Sequence, residues 1–307
     1  MRILLTGSTG LVGKNILSNH AFNNFDLICP SRKELELLSY DKTLEFITNT
    51  KPDFIIHAAG TVGGIQANIN NPLKFFEENT LMGFNLLNAA YKNGVKNFLN
   101  LGSSCMYPKN APNPLSEDSL LKGTLEPTNE GYALAKITTA KYCDYISKEK
   151  KLGYKTVIPC NLYGPFDDFN SDSAHMIPAV IRKIHEAKIR GSSIVEIWGD
   201  GKAKREFMSA YDFSDFIFFA LEHFNEMPEF MNVGIGKDYS INEYYQFIAE
   251  EIKFNGSFIN DLSKPKGMEQ KIVDIDKLSK FGWESKISIR EGIKETYAYF
   301  LKEFNEI

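Results

Sequence analysis

A chain of 307 residues with 43% hydrophobic content is long enough for one large or two medium domains around a sizeable buried core. Its 35 Lys and Arg against 39 Asp and Glu leave a formal charge of −4, which excludes a global pull toward nucleic acid or an anionic membrane. No apolar run is long enough for a signal peptide or a bilayer span, and Cys29, Cys105, Cys143 and Cys160 show no metal-type clustering. A cytoplasmic protein with reduced thiols and no bound metal is expected.

In chain order, short apolar runs alternate with amphipathic stretches through the first half. The pattern predicts strands at 3–5, 27–29, 54–57, 98–101 and 156–159, with helices at 10–19, 80–93 and 132–148 between them. Right-handed crossovers then generate an α/β fold, a Rossmann-type doubly wound parallel sheet whose ligands sit at the carboxyl ends of its strands. After Asn161-Leu162-Tyr163-Gly164-Pro165 the alternation breaks. Residues 167–173 read as a polar loop, a helix is expected from 176 to 188, and 212–222 reads as a helix packing back on the first domain. The expected division is a dinucleotide-binding domain at 1–165 and a smaller α/β substrate domain at 166–307, with about 206–235 returning to the first.

Gly7-Ser8-Thr9-Gly10-Leu11-Val12-Gly13 directly follows the first predicted strand. A glycine pattern alone also makes an ordinary tight turn. At the head of an alternating fold it predicts a dinucleotide site, because absent side chains let the backbone approach a pyrophosphate and the next helix offers unpaired N–H groups. At the end of the second strand, Cys29-Pro30-Ser31-Arg32-Lys33 lacks the acidic residue that would hold a ribose 2′-hydroxyl. Arg32 instead suits a 2′-phosphate, so NADP(H) is expected.

Tyr132-Ala133-Leu134-Ala135-Lys136 puts a phenol and an ammonium on one helix face, where the cation is expected to lower the tyrosine pKa. Ser103, in Gly102-Ser103-Ser104-Cys105, supplies a hydroxyl to hold a ketone oxygen beside that phenol. Cys105, two residues on, is then expected beside the ketone. With His175 it forms a thiolate base and an imidazolium acid for the carbons flanking the carbonyl. Ser103 and Tyr132 would stabilise the developing enolate oxygen, which later becomes the alcohol when hydride arrives.

The chain resembles the GDP-L-fucose synthase family of extended short-chain dehydrogenases/reductases. The matching segments are 58–65, Gly102-Ser103-Ser104-Cys105-Met106-Tyr107-Pro108, 126–130, Asn161-Leu162-Tyr163-Gly164-Pro165 and His175-Met176-Ile177-Pro178-Ala179. The resemblance implies an NADPH-dependent 3,5-epimerase/4-reductase of a GDP-4-keto sugar, with Ser103, Tyr132 and Lys136 for reduction and Cys105 and His175 for epimerisation. It implies cofactor contacts at Gly7, Ser8, Thr9, Gly10, Leu11, Val12, Gly13, Arg32, Ala58, Ala59, Leu101, Tyr132, Lys136, Pro159, Asn161, Leu162 and His175. Substrate contacts are implied at Ser104, Lys183, Trp198, Arg205 and Lys271, and a homodimer through the helices at 80–93 and 132–148.

Two departures stand out. Gly131 replaces the proline common before the catalytic tyrosine, and Lys266-Gly267-Met268-Glu269-Gln270-Lys271 replaces an Asp-Gly-Thr-Pro-Arg-Lys pattern. Related reductases of GDP-4-keto-heptoses form an alternative, with or without epimerisation. A 4,6-dehydratase would need an acidic pair where Ser104-Cys105 stands, and a simple 4-epimerase has no use for Cys105 and His175 together. A non-catalytic NADP(H) sensor has no need of Ser103, Tyr132 and Lys136.

Overall fold

In the computed structural model the described residues are 1–170, 174–263 and 268–304. The last part of the predicted polar loop (171–173) and the divergent positions Lys266 and Gly267 lie outside them. The apolar runs form the central sheet: β1 (Arg2–Thr6), β2 (Asp26–Ile28), β3 (Phe54–His57), β4 (Asn97–Leu101) and β5 (Gly153–Pro159). Ile3, Leu4, Leu5, Ile55, Ile56, Phe98, Leu99, Val157 and Ile158 are all fully buried, as strands covered on both faces require.

Beyond the sheet's first five strands come β6 (Asn161–Tyr163), β7 (Ile194–Trp198), β8 (Lys204–Arg205) and β9 (Phe207–Ser209). They are followed by β10 (Phe230–Val233), β11 (Tyr239–Ser240), β12 (Ser257–Asp261) and β13 (Gln270–Lys271). The six-stranded sheet runs β10-β5-β4-β3-β1-β2 with every pairing parallel. The chain leaves β1 toward β2 and then returns to the other side of β1 through β3. This reversal opens a crevice at the carboxyl ends of β1 and β3, the position where doubly wound sheets bind ligands.

Helix α1 (Leu11–Ser18) follows β1, α2 (Tyr40–Thr50) precedes β3, and α3 (Ile65–Asn70) leads into α4 (Pro72–Lys92). α4 begins eight residues before the predicted 80, with Pro72 in its first turn, where a missing N–H costs nothing. α5 (Glu130–Lys150) packs along α4, and Gly83 admits the Thr139 side chain at their contact. Lys148 and Lys150 in the last turn of α5 complement its dipole before Lys151 turns left-handed at φ 58°.

α6 (Met176–Ile189), α7 (Ala210–Glu222), α8 (Ile241–Ile252), α9 (Asp276–Phe281) and α10 (Ile289–Glu303) complete the helices. A second apolar core joins Tyr163, Ile177, Ile181, Ile197, Phe207, Tyr244, Ile248 and Ile293. Around it β7 pairs with β12, β8 sits between β11 and β13, and β6 pairs with β9. α7 packs against α1, and β10 extends the main sheet beside β5. Among the described residues no helix is long and apolar enough to cross a membrane, and no group of three or more His, Cys, Asp or Glu is placed to hold a metal.

Candidate active site

The loop after β1 is built to bring backbone, not side chains, to a ligand. A Cβ on Gly7 would lie 2.6 Å from the Ala58 carbonyl carbon and the Ala59 nitrogen, and one on Gly13 would strike the Gly7 carbonyl and Ser8. Gly10 is different: its nearest neighbour would be the Gly7 oxygen at 3.5 Å, so its Cβ direction is largely open. Gly10 also caps α1 without a side-chain hydrogen bond, and the first turn of α1 holds no acidic residue. A bare, unopposed helix N-terminus fits a pyrophosphate. Residues Gly7 to Gly13 with Ala58 and Ala59 would hold it.

Under this loop the Thr6 hydroxyl and His57 Nδ1 are 2.9 Å apart. Burial, with the Lys136 charge nearby, pushes His57 down to about 3, so it stays neutral. Arg32 and Lys33 are exposed beyond β2, and the Ser31 N–H donates to the Glu34 carboxylate at 2.7 Å. That bond holds Glu34 below the usual carboxylate range.

At the carboxyl end of β4, the Ser103 Oγ and Cys105 Sγ lie 2.8 Å apart, and the Met106 thioether accepts the Ser103 N–H at 3.4 Å. Tyr132 and Lys136 reach the same place from the first turns of α5. The Lys136 ammonium donates to the Leu101 carbonyl at 2.9 Å and sits 5.7 Å from the Tyr132 ring centroid. Phe75 meets the tyrosine edge-on, with centroids 6.4 Å apart. Burial lowers Lys136 to about 8, while Cys105 opposes that shift.

The expectation that lysine would depress the tyrosine pKa is corrected here. Burial, and next the nearby Cys105 charge, raise the Tyr132 phenol well above its ordinary value, and only the Ser103 hydroxyl works the other way. Desolvation of a phenolate outweighs a cation lying over the ring. The resting tyrosine is therefore a protonated donor, ready to give a proton rather than take one.

His175 precedes α6, at its N-cap position, without a side-chain capping bond. The protein around it lowers its imidazole pKa, and Asp168 pulls the other way. The direction favours the neutral ring over the expected imidazolium, while the side chain still reaches the surface.

Among the expected substrate contacts, Ser104 is buried beside Cys105. Lys271 is desolvated and feels Cys105, Arg205, Cys160 and Glu126; Arg205 feels Glu126 in turn. Their charges are close enough to influence one another. Lys183 instead donates to the Glu196 carbonyl at 2.6 Å, and Trp198 is 59% exposed on β7. Pro159, Asn161 and Leu162 lie at the exit of β5, where the Asn161 amide donates to the Glu206 carbonyl at 2.9 Å. Sequence reasoning missed His57, Glu126 and Glu206. The signal at His57 and Glu206 was weak, one polar residue each in an otherwise ordinary segment, whereas Glu126 stood in the matching segment 126–130 with no role assigned to it.

The sequence matches the NAD dependent epimerase/dehydratase family over residues 3–234. The chain belongs to this family. It is 55% identical over 306 residues to a GDP-L-colitose synthase of Yersinia pseudotuberculosis, with 99% of each chain covered. It is 44% identical over 300 residues to a GDP-L-fucose synthase of Azorhizobium caulinodans, covering 98% of this chain and 96% of that one. Among solved structures, a GDP-mannoheptose C4 reductase from Campylobacter jejuni with NADP bound superposes with a TM-score of 0.87 at 29% identity, covering 97% of this chain and 98% of that one. The family's description names an NAD-dependent chemistry, and Ser103 and Cys105 follow β4, which lies beside β3 in the same parallel sheet as β1.

Proposed function

We propose that the chain is an NADPH-dependent 3,5-epimerase/4-reductase that converts GDP-4-keto-6-deoxy-D-mannose to GDP-L-fucose. The observation that carries this reading is the cluster of Ser103, Cys105, Tyr132 and Lys136 at the carboxyl end of β4, a thiol and a proton-donating phenol around one hydroxyl. A dinucleotide held by the Gly7–Gly13 loop would supply the hydride for C4. Exposed Arg32 and Lys33 beyond β2, with the neighbouring Glu34 carboxylate accepting the Ser31 N–H, support NADPH over NADH.

Cys105, as thiolate, removes a proton alpha to the ketone, and the electron pair moves onto the carbonyl oxygen, which Ser103 and Tyr132 hold by hydrogen bonds. His175 returns a proton from the opposite face, inverting the carbon. When C4 is reduced, the Tyr132 phenol gives its proton to the same oxygen. Lys136, charged below about 8, then stabilises the phenolate left behind. Arg205, Lys271, Lys183 and Trp198 would bind the sugar nucleotide.

A second reading draws on the 55% identity to a GDP-L-colitose synthase. Colitose is fucose without its 3-hydroxyl, so C3 of such a substrate needs no inversion and only C5 does. Loss of NADPH absorbance with each candidate GDP-4-keto sugar in deuterated water, followed by product analysis, tests the proposal. GDP-L-fucose carrying deuterium at C3 and C5 supports it. Turnover of the 3-deoxy ketone alone favours colitose, and turnover without deuterium leaves a simple C4 reductase, as in the heptose alternative.

Two structural expectations belong to the same proposal. The division at about residue 165 is supported by the separate core around Tyr244 and Ile248, and the return of 206–235 by β10 and α7. A homodimer through α4 and α5 is supported by exposed Leu73, Phe76, Leu81, Leu134 and Tyr145 on those helices. Light scattering at twice the chain mass is the expected result.

A further inference from the structure

Glu206 separates β8 from β9, and none of it reaches solvent. A buried carboxylate is costly unless hydrogen bonds replace the water it loses. Its Oε1 accepts the N–H groups of Ile235 at 2.6 Å and Gly236 at 2.8 Å, and its Oε2 accepts the Val273 N–H at 2.8 Å. The backbone of the same residue continues the connections. Its N–H donates to the Lys271 carbonyl at 3.2 Å, and its carbonyl accepts the Asn161 amide at 2.9 Å. Any Cβ on Gly234 would collide with Oε1 and with Val273, so glycine at this point is what admits the carboxylate.

One residue therefore fastens four segments. These are the turn leaving β10 at the sheet edge, the exit of β5 at Asn161, β8 with Arg205, and β13 with Lys271. β13 pairs with β8 in parallel register, with Lys271 opposite Arg205. Two desolvated cations brought together repel; Glu126 offsets part of that repulsion, and an anion entering beside them would offset more. The strands are also held by main-chain bonds, from the Lys204 N–H to the Glu269 carbonyl and from the Leu115 N–H to the Ile272 carbonyl, and the carboxylate adds the tie from β8 and β13 to the turn after β10.

We infer that Glu206 is a positioning residue, locking the strands of Arg205 and Lys271 to the edge of the dinucleotide-binding sheet so that both cations meet a sugar nucleotide at a fixed place beside Cys105. The inference rests on the sugar-nucleotide reading above. Glu206 touches neither ligand in this account and acts only through the two cations. Its loss should weaken the nucleotide-sugar end of the site and leave the loop at Gly7–Gly13 untouched.

The test measures dissociation constants of GDP and of NADPH, separately, for the full chain. Glu206→Gln keeps the volume but turns one acceptor into a donor that faces a backbone N–H. GDP binding is expected to weaken by about tenfold or more, the scale of one lost hydrogen bond to a charge, with NADPH binding unchanged. In an Arg205→Met/Lys271→Met background the same change should have almost no further effect on GDP. Gly234→Ala presses on the Glu206 carboxyl group, which burial raises to about 7, without removing its oxygens, and should reproduce the selective loss, which keeps the idea testable if Glu206→Gln does not fold.

Unchanged GDP affinity in a Glu206→Gln chain that binds NADPH would overturn the inference, as would a parallel loss of both ligands or a full effect in the double background. A wild-type chain that binds NADPH but not GDP would overturn the sugar-nucleotide reading itself, and this inference with it.

Discussion

Gly131 is the second residue of α5 and immediately precedes Tyr132, so a change there acts on the proton donor without touching its ring. An alanine Cβ at this position would lie 2.6 Å from the Pro72 carbonyl oxygen, 3.4 Å from the Pro72 carbonyl carbon and 3.5 Å from the Phe76 Cβ. Ordinary non-bonded contacts settle near about 3.5 Å, so the oxygen is nearly 1 Å too close. Pro72 opens α4 and the clash is with backbone, which cannot rotate away. Overpacking of this kind costs about 1–3 kcal/mol, against a gain of up to about 1 kcal/mol for replacing glycine in a helix. A net loss of about 1–2 kcal/mol lowers Tm by roughly 2–8 °C in a chain of this size.

The catalytic consequence is larger. Relief of the clash moves the start of α5 off α4, and Tyr132 travels with it. A displacement of about 1 Å at a proton donor costs on the order of 100-fold in rate. Gly131→Ala should therefore melt lower and lose kcat far more than it gains in KM. Gly131→Pro, the residue the resemblance leads one to expect, meets the same carbonyl and should be no better. Thermal melts and NADPH oxidation at saturating sugar nucleotide measure both effects. Wild-type Tm together with wild-type kcat in Gly131→Ala would refute the reasoning.

Lys136 is held at about 8 against an ordinary 10.5, so between those values the unfolded chain binds more protons than the folded one. Stability then rises with pH in that window, and wild type should gain on Lys136→Met in denaturant melts as pH climbs from 8 toward 10. Turnover should move the opposite way, falling above about pH 8 as the ammonium is lost. Arg32→Ser should raise the KM for NADPH by about tenfold with little change for NADH, as expected when a charged hydrogen bond to a 2′-phosphate disappears. Cys105→Ser should stop deuterium uptake at the carbons flanking the ketone while an already epimerised ketone is still reduced; equal loss of both activities would deny the thiol a separate role.

The sheet was legible because parallel strands buried on both faces must be continuous apolar runs, and Phe54–His57 appears in the structure with the predicted bounds. α4 was harder. Its first turns carry Lys74, Glu77 and Glu78 among Leu73, Phe75 and Phe76, which blurs the helical period that becomes clear only after Thr80. The chemistry-bearing segments were visible as motifs, yet their electrostatics were not. Spacing alone places a lysine beside a tyrosine, whereas the rise in the Tyr132 pKa comes from burial, with groups distant in sequence such as Phe75 of α4 against the ring. For the same reason nothing in the sequence near residue 206 announces that its carboxylate would meet Ile235, Gly236 and Val273.

The account turns on Tyr132 as the proton donor to the ketone oxygen. Single-turnover oxidation of NADPH by Tyr132→Phe, in deuterated water with the GDP-4-keto sugar, tests it most directly. Hydride transfer should slow by about 100-fold or more, the usual worth of a positioned acid, while deuterium still enters the recovered ketone through Cys105. NADPH oxidation at the wild-type rate would contradict the account.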